Sequence, residues 1–290
     1  MQRSHSNDKA KGHIFMHKIK QFIWALILAG LFSTTNALPV GLNTGSFSIN
    51  SSVASLMDWY AQLLSKDSQS KFLDYYPKEI QQIKIIKIKL IDSKQENRHK
   101  FNVELLLTYK NANKLISKTV SEVLVFLLSP LGKPELNKII KDKGEFATAA
   151  SGKNFNQLYY QKRQFVYAWL AWLDGDKYRL PTIENKATYV VNIAGKQIQG
   201  SVFSSLKKRS QYLYKGKNLL HSMDVKALKN NKFIFNLVIQ YKGVNAKNQK
   251  VIAKIKQTIH VKLKNNIWQI IRIQEKHLLP DIAPWIGFVC

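Results

Sequence analysis

The chain carries the same alternating stretch twice, 132 residues apart, and this repeat limits the folds open to it. Lys100-Phe101-Asn102-Val103-Glu104-Leu105-Leu106-Leu107-Thr108-Tyr109-Lys110 stands against Lys232-Phe233-Ile234-Phe235-Asn236-Leu237-Val238-Ile239-Gln240-Tyr241-Lys242. Phe, Leu, Tyr and Lys recur at matching places, and the remaining inward positions stay apolar. A period of two makes each stretch a half-buried strand, because successive strand side chains point to opposite faces. The flanks match as well. Ile83 to Leu90 and Leu219 to Leu228 precede the two stretches; Leu115 to Leu128 with Leu136 to Lys141, and Val251 to Leu263 with Ile267 to Arg272, follow them. Polar turns lie at 92–99, 111–113, 243–248 and 264–266. Each copy thus offers four consecutive strands.

Helical spacing precedes each copy. Val53 to Leu64 places Leu56, Trp59, Tyr60, Leu63 and Leu64 on one face, and Ser68 to Tyr76 suits a second, short helix. Asn156 to Leu173 reads as a long helix carrying Trp169 and Trp172. A hairpin, 187–193 with 197–202, turns at Ala194-Gly195, and 202–213 reads as another helix. The expected organisation is a signal at 1–37, a flexible mature N-terminus at 38–51, a first α+β domain at 52–146 and a linker at 147–155. A second α+β domain at 156–277 and an apolar tail at 278–290 complete it.

Helix, hairpin, helix and four long antiparallel strands is an order that resembles the nuclear transport factor 2-like (cystatin-like, α+β cone) superfamily. The resemblance covers 156–275 well and 52–143 less well, where the hairpin and one helix are missing, so the first copy reads as degenerate. It rests on element order and carries no diagnostic motif. It implies an α+β fold of two tandem cone-like domains, each a curved antiparallel sheet of four or more strands packed on N-terminal helices. Such cones host isomerases, cyclases, transport adaptors and secretion components, so fold alone assigns no activity.

The N-terminus follows the secretory pattern: Lys9, Lys11, Lys18 and Lys20, an apolar run from Phe22 to Phe32, then small and polar residues to Ala37, the expected cleavage point. Eleven apolar residues fall short of the roughly 20 that span a bilayer. The expectation is an exported chain, periplasmic or secreted, with no stable transmembrane helix after cleavage. The formal charge is +27, from 45 basic and 18 acidic side chains. Only six of the basic residues are arginine. Lysine is a hydrated point charge and arginine a fork for phosphate, and no helix-turn-helix or zinc pattern is present, so nucleic acid is disfavoured as a partner. A protein or an anionic envelope surface fits better. A homodimer stays open, and Cys290 could pair between chains or stay a buried thiol.

In the 252–264 strand, Lys254, Lys256, Thr258, His260, Lys262 and Lys264 face one side and Ala253, Ile255, Gln257, Ile259, Val261 and Leu263 the other. The first set is a candidate basic binding face, or simply a solvated face that resists aggregation. Lys84, Lys87 and Lys89 suggest a smaller version whose phase slips at Ile85-Ile86, the mark of a bulge. Trp59, Tyr60, Trp169, Trp172, Tyr212 and His221 are candidates for an apolar pocket that would take a small ligand, or for core and strand positions. Enzymes resembling this fold use a buried Asp, His or Tyr in the cone. Here Asp174 and Asp176 flank Gly175 at a helix end and read as solvated; no catalytic set, cofactor motif or metal motif is found. The mature histidines His99, His221, His260 and His277 lie on separate elements.

Three readings follow. The first is an exported, non-catalytic binding or assembly protein of the bacterial envelope or exterior, using the basic face, an apolar pocket or both. The second is a membrane-anchored periplasmic component of a type IV-like secretion machine. The third is an isomerase- or cyclase-type pocket enzyme on an apolar small molecule.

Overall fold

In the computed structural model the described residues are 48–65, 72–92, 97–130, 133–141, 145–146, 155–176, 181–193 and 196–278. They all belong to the unit that spans Val40–Cys290. The expected signal with its cleavage point Ala37, most of the linker, and the tail beyond Leu278 with Cys290 lie outside them.

Helix α1 (Ile49–Leu63) starts at Ser48, whose side chain accepts from the Asn50 amide. A single 3-10 turn, Leu73–Tyr75, is what the described residues contain of the second helix expected at 68–76. Strands β1 (Ile80–Asp92), β2 (Arg98–Asn111), β3 (Lys114–Leu128) and β4 (Pro134–Lys141) form an antiparallel sheet in that order, and β5 (Glu145–Phe146) pairs with β3. Phe101, Val103, Leu105 and Leu107 of β2 point inward with Val120, Leu124 and Phe126 of β3, against Leu56, Met57, Trp59 and Tyr60 of α1. The pairing of β1 with β2 shifts between Ile85 and Lys87. The bulge therefore lies where the alternation slips, and it leaves Ile86 exposed.

Helix α2 (Gln157–Leu173) is capped by Asn156. The second sheet contains β6 (Thr182–Ile193), β7 (Lys196–Ser201), β8 (Lys215–Ala227), β9 (Lys232–Val244), β10 (Lys250–Lys264) and β11 (Ile267–His277). Their order is β7-β6-β11-β10-β9-β8, with β6 and β11 parallel and the other pairs antiparallel. Helix α3 (Val202–Arg209) follows β7 directly and ends four residues earlier than the apolar pattern suggests. The architecture is α+β, with two sheets and few helices.

Asparagine makes the tight turns. Asn230-Asn231 joins β8 to β9 and Asn265-Asn266 joins β10 to β11, each pair with φ between 50° and 60°. Two consecutive left-handed residues give the turn whose twist suits a hairpin, and Asn tolerates that conformation better than most side chains.

The two helices pack on each other, and the N-terminus of α1 meets the C-terminal end of α2. Ser48 N–H and Ser51 Oγ donate to Asp176, while Ser48 Oγ and Asn50 Nδ2 donate to Asp174. Carboxylates at a helix N-terminus also meet its favourable dipole end. Tyr60 of α1 and Tyr160 of α2 are in tilted ring contact, with centroids 5.7 Å apart.

One edge strand of each sheet, β1 and β8, is bonded at a single residue by a side chain from the helix that packs on the other sheet. Tyr160 Oη donates to the carbonyl of Ile83 on β1. Asn50 Nδ2 donates to the carbonyl of Asn218 on β8 at 2.7 Å, and the Asn218 amide donates to Asp174 Oδ1 at 2.7 Å. Unpaired strand edges invite further strands, and these bonds take up the backbone groups at Ile83 and Asn218.

Candidate functional site

The alternation along β10 separates the two faces of the second sheet. Val251, Ala253, Ile255, Gln257, Ile259 and Val261 are buried on the concave side. Lys254, Lys256 and Lys264 are exposed on the other face, with Thr258, His260 and Lys262 half-buried beside them. The neighbouring strands extend this basic face. Lys256 lies opposite Lys276 of β11, His260 opposite Arg272, and Lys262 opposite Lys232 of β9. Lys242 of β9 lies opposite Lys217 of β8. Carboxylates are few on this face: Asp224 of the edge strand β8 lies opposite Asn236, and Glu184 of β6 is exposed. The ion pairs Lys87–Glu104, Arg209–Glu275 and His277–Glu275 lie away from this face. Like charges directly opposite across strands are destabilising. Burial and the charge of Arg272 hold the His260 imidazole below its ordinary value, so lysine and arginine supply the charge at neutral pH.

The concave side of the same sheet holds a buried polar cluster. Glu275 of β11 is fully enclosed, with Arg209 Nε 2.8 Å and His277 Nε2 2.7 Å from its Oε1. Tyr189 Oη and Gln257 Nε2 donate to its Oε2, and Trp169 Nε1 donates to Gln257 Oε1 at 2.8 Å. Burial alone would raise this carboxyl, but the Arg209 guanidinium and the His277 contact outweigh it and hold Glu275 well below the usual carboxylate range. An ionised carboxylate accepts about four hydrogen bonds, and here its two oxygens already have four partners.

The first sheet has a counterpart without an arginine. Glu122 of β3 accepts from Tyr60 Oη at 2.7 Å and Tyr76 Oη at 2.6 Å. Burial raises its carboxyl, and the two phenols offset that only in part. Lys141 Nζ sits 3.3 Å from the Tyr76 ring centroid; burial lowers it to about 8 against the pull of Glu122.

Among the candidate pocket residues, Trp59, Tyr60, Trp169 and Trp172 are buried in packing. Trp169 makes a tilted ring contact with Trp172 at 5.1 Å, and Trp59 lies 5.9 Å from Tyr76. Tyr212 is half-buried in the turn after α3, and His221 is exposed on β8. The structure therefore does not gather these six side chains around one space. Two neighbouring grooves share Asp58 and Lys133. One, of about 210 Å³, is lined by Trp59, Phe72 and Phe126; the other, of about 470 Å³, by Phe165, Ala168 and Trp268. Neither reaches Glu275 or Glu122. Among the described residues no group of three His, Cys, Asp or Glu side chains could hold a metal ion. Nor is any described helix long and apolar enough to cross a membrane.

Asp174 and Asp176, read from sequence as a solvated helix end, are withdrawn from water instead. Burial lifts Asp174 to about 6 against four hydrogen-bond donors, two of them from Asn218. Their partners Ser48, Asn50 and Ser51 come from α1. Glu122, Gln257 and Glu275 share one sequence signal: each falls in phase with the inward apolar residues of its strand, where a polar group needs a partner.

No family model matches the chain, and no curated protein matches it. Solved structures match at low identity and partial coverage. A cystatin-like-fold protein from Caulobacter vibrioides is 10% identical with a TM-score of 0.35, over 41% of this chain and 89% of that one. An NTF-2 like protein of unknown function from Silicibacter pomeroyi is 13% identical with a TM-score of 0.31, over 42% and 96%. The complex of Mtr2 with the Mex67 M domain from C. albicans matches at 15% identity and a TM-score of 0.32, over 43% and 96%.

Proposed function

We propose that this chain is an exported, non-catalytic binding or assembly protein of the envelope or exterior, made of two tandem cone-like copies. It engages an anionic partner through the outer face of its six-stranded sheet. The observation that carries this reading is the cross-strand pairing of like charges, Lys256 with Lys276, Lys262 with Lys232 and Lys242 with Lys217. Such pairs cost stability, and an opposing anionic surface turns that cost into binding energy. The concave side supports the non-catalytic part, because the acceptor positions of Glu275 are taken by Arg209, His277, Tyr189 and Gln257.

Retention of the folded protein on immobilised heparin, a soluble-type polyanion, tests the face. The variant K254E/K256E/K262E should elute at much lower salt than the unmodified chain, with an unchanged circular-dichroism spectrum. Unchanged elution would remove the basic-face reading. Intact mass of the native protein tests export: the expected species begins at Leu38, and a membrane-bound species that keeps Phe22 to Phe32 would favour an anchored secretion component.

A further inference from the structure

We infer that the outer face of the six-stranded sheet docks onto an anionic phospholipid bilayer. This rests on the basic-face reading and names its partner. Features of that face separate a bilayer from other polyanions.

Exposed aliphatic side chains stand among the cations. Leu219 and Ile252 are 44% and 46% exposed. Ile252 lies opposite Lys242, and Leu219 opposite Gln240, itself opposite Lys254. A soluble polyanion gives such side chains nothing to contact. At a bilayer they enter the boundary between head groups and acyl chains while the neighbouring ammonium groups stay at the phosphates. Cations repeat about 5 Å across strands and about 7 Å along them, so the face meets its partner as a sheet of charge. Lysine predominates, which suits attraction to a diffuse negative surface; arginine forks would suit individually recognised phosphates.

The same face is poorly made for nucleic acid. Phe233, Phe235, Tyr241 and Trp268 are buried on the opposite side, so among the described residues the strands present no aromatic there for bases to stack on. The face is formed by strands alone and presents no helix to a major groove.

The test uses the full chain and co-sedimentation with two kinds of vesicle. One is phosphatidylcholine; in the other about a third of the lipid is phosphatidylglycerol. Binding to the anionic vesicles alone, released by about 1 M salt where the screening length is about 3 Å, is the expected result. Each lysine near an anionic surface contributes about a fivefold gain, so K254A/K256A/K262A should bind about a hundredfold more weakly. L219S/I252S should weaken vesicle binding several-fold and leave heparin retention unchanged. Retention on heparin without vesicle binding would overturn the bilayer and leave the basic face standing. Equal binding to both vesicles, or binding that salt does not release, would overturn it by pointing to the Phe22 to Phe32 segment. If K254A/K256A/K262A changed neither vesicle binding nor heparin retention, the bilayer inference and the basic-face reading would fall together. Unaltered vesicle binding by L219S/I252S would likewise overturn it.

Discussion

Arg209 Nε donates to Glu275 Oε1 at 2.8 Å, with both side chains almost wholly removed from water. A buried pair that loses one partner strands the other charge, at about 3–5 kcal/mol. Arg209→Met should therefore destabilise the chain by about that much in urea titration. Adding Glu275→Leu should recover part of the loss, because no unpaired carboxylate then remains. A loss under about 1 kcal/mol for the single variant would mean that Tyr189, Gln257 and His277 alone hold the carboxylate.

Glu122 has two phenol donors and no buried cation bonded to it. Tyr60→Phe and Tyr76→Phe each remove one donor from a buried acceptor and should cost about 1–3 kcal/mol. Glu122→Gln should cost less than about 1 kcal/mol, since burial already penalises the ionised form and a phenol can accept from the new amide. A Glu122→Gln variant less stable than both Tyr variants would contradict this ordering.

Two buried groups pull the pH dependence in opposite directions. Burial, followed by the charge of Lys217, depresses His99 from 6.5 to about 4, so its stabilising contribution is present above 6.5 and is lost as pH falls towards 4. Burial raises Asp174 from 3.8 to about 6, so its contribution is present below 3.8 and is lost as pH rises through 6. His99→Gln should make the protein gain more stability than the unmodified chain on acidification from 6.5 to 4. Asp174→Asn should make it gain less. Parallel curves of unfolding midpoint against pH for a variant and the unmodified chain would refute the assignment for that residue.

Gly216 and Gly243 pair directly across β8 and β9. A Cβ on Gly243 would lie 2.0 Å from the Lys215 carbonyl oxygen and 2.5 Å from Tyr241 Oη. The nearest obstacle is backbone, so Gly243→Ala should destabilise by about 1–3 kcal/mol, as overpacking does. A thermal melt reads it directly, and an unchanged midpoint would show that the two strands can part there without cost.

Much of the sheet was legible because its two faces meet different surroundings. The basic and apolar sides of β10 alternate without interruption from Val251 to Val261, and the Ile85-Ile86 slip marked a real bulge. Of the two asparagine turns, 264–266 was legible from its polarity, while Asn230-Asn231 shows itself only in its left-handed backbone. The polar contacts were less so. Asp174 looks like an ordinary helix end until Ser48, 126 residues earlier, is placed beside it. Arg209 reads as one more basic residue at the end of a lysine-rich helix, and only the three-dimensional approach of β11 gives it Glu275. Aromatic composition left two options open, a cavity wall or a core; Trp169 and Trp172 are buried, and Trp169 donates to Gln257 of β10.

The reciprocal bonding of Tyr160 to β1 and of Asn50 to β8 bears on synthesis. A ribosome that has released residues up to 146 has made the whole first sheet, yet the β1 edge at Ile83 still awaits the hydroxyl of Tyr160. The β8 edge finds Asn50 already made. Translation thus leaves an interval in which β1 to β4 have emerged while Tyr160 has yet to leave the ribosome, and a pause in that interval would prolong it. Slowing the codons read during it should divert nascent chains into aggregates or onto chaperones, while the same delay placed once Tyr160 has emerged should be harmless to β1.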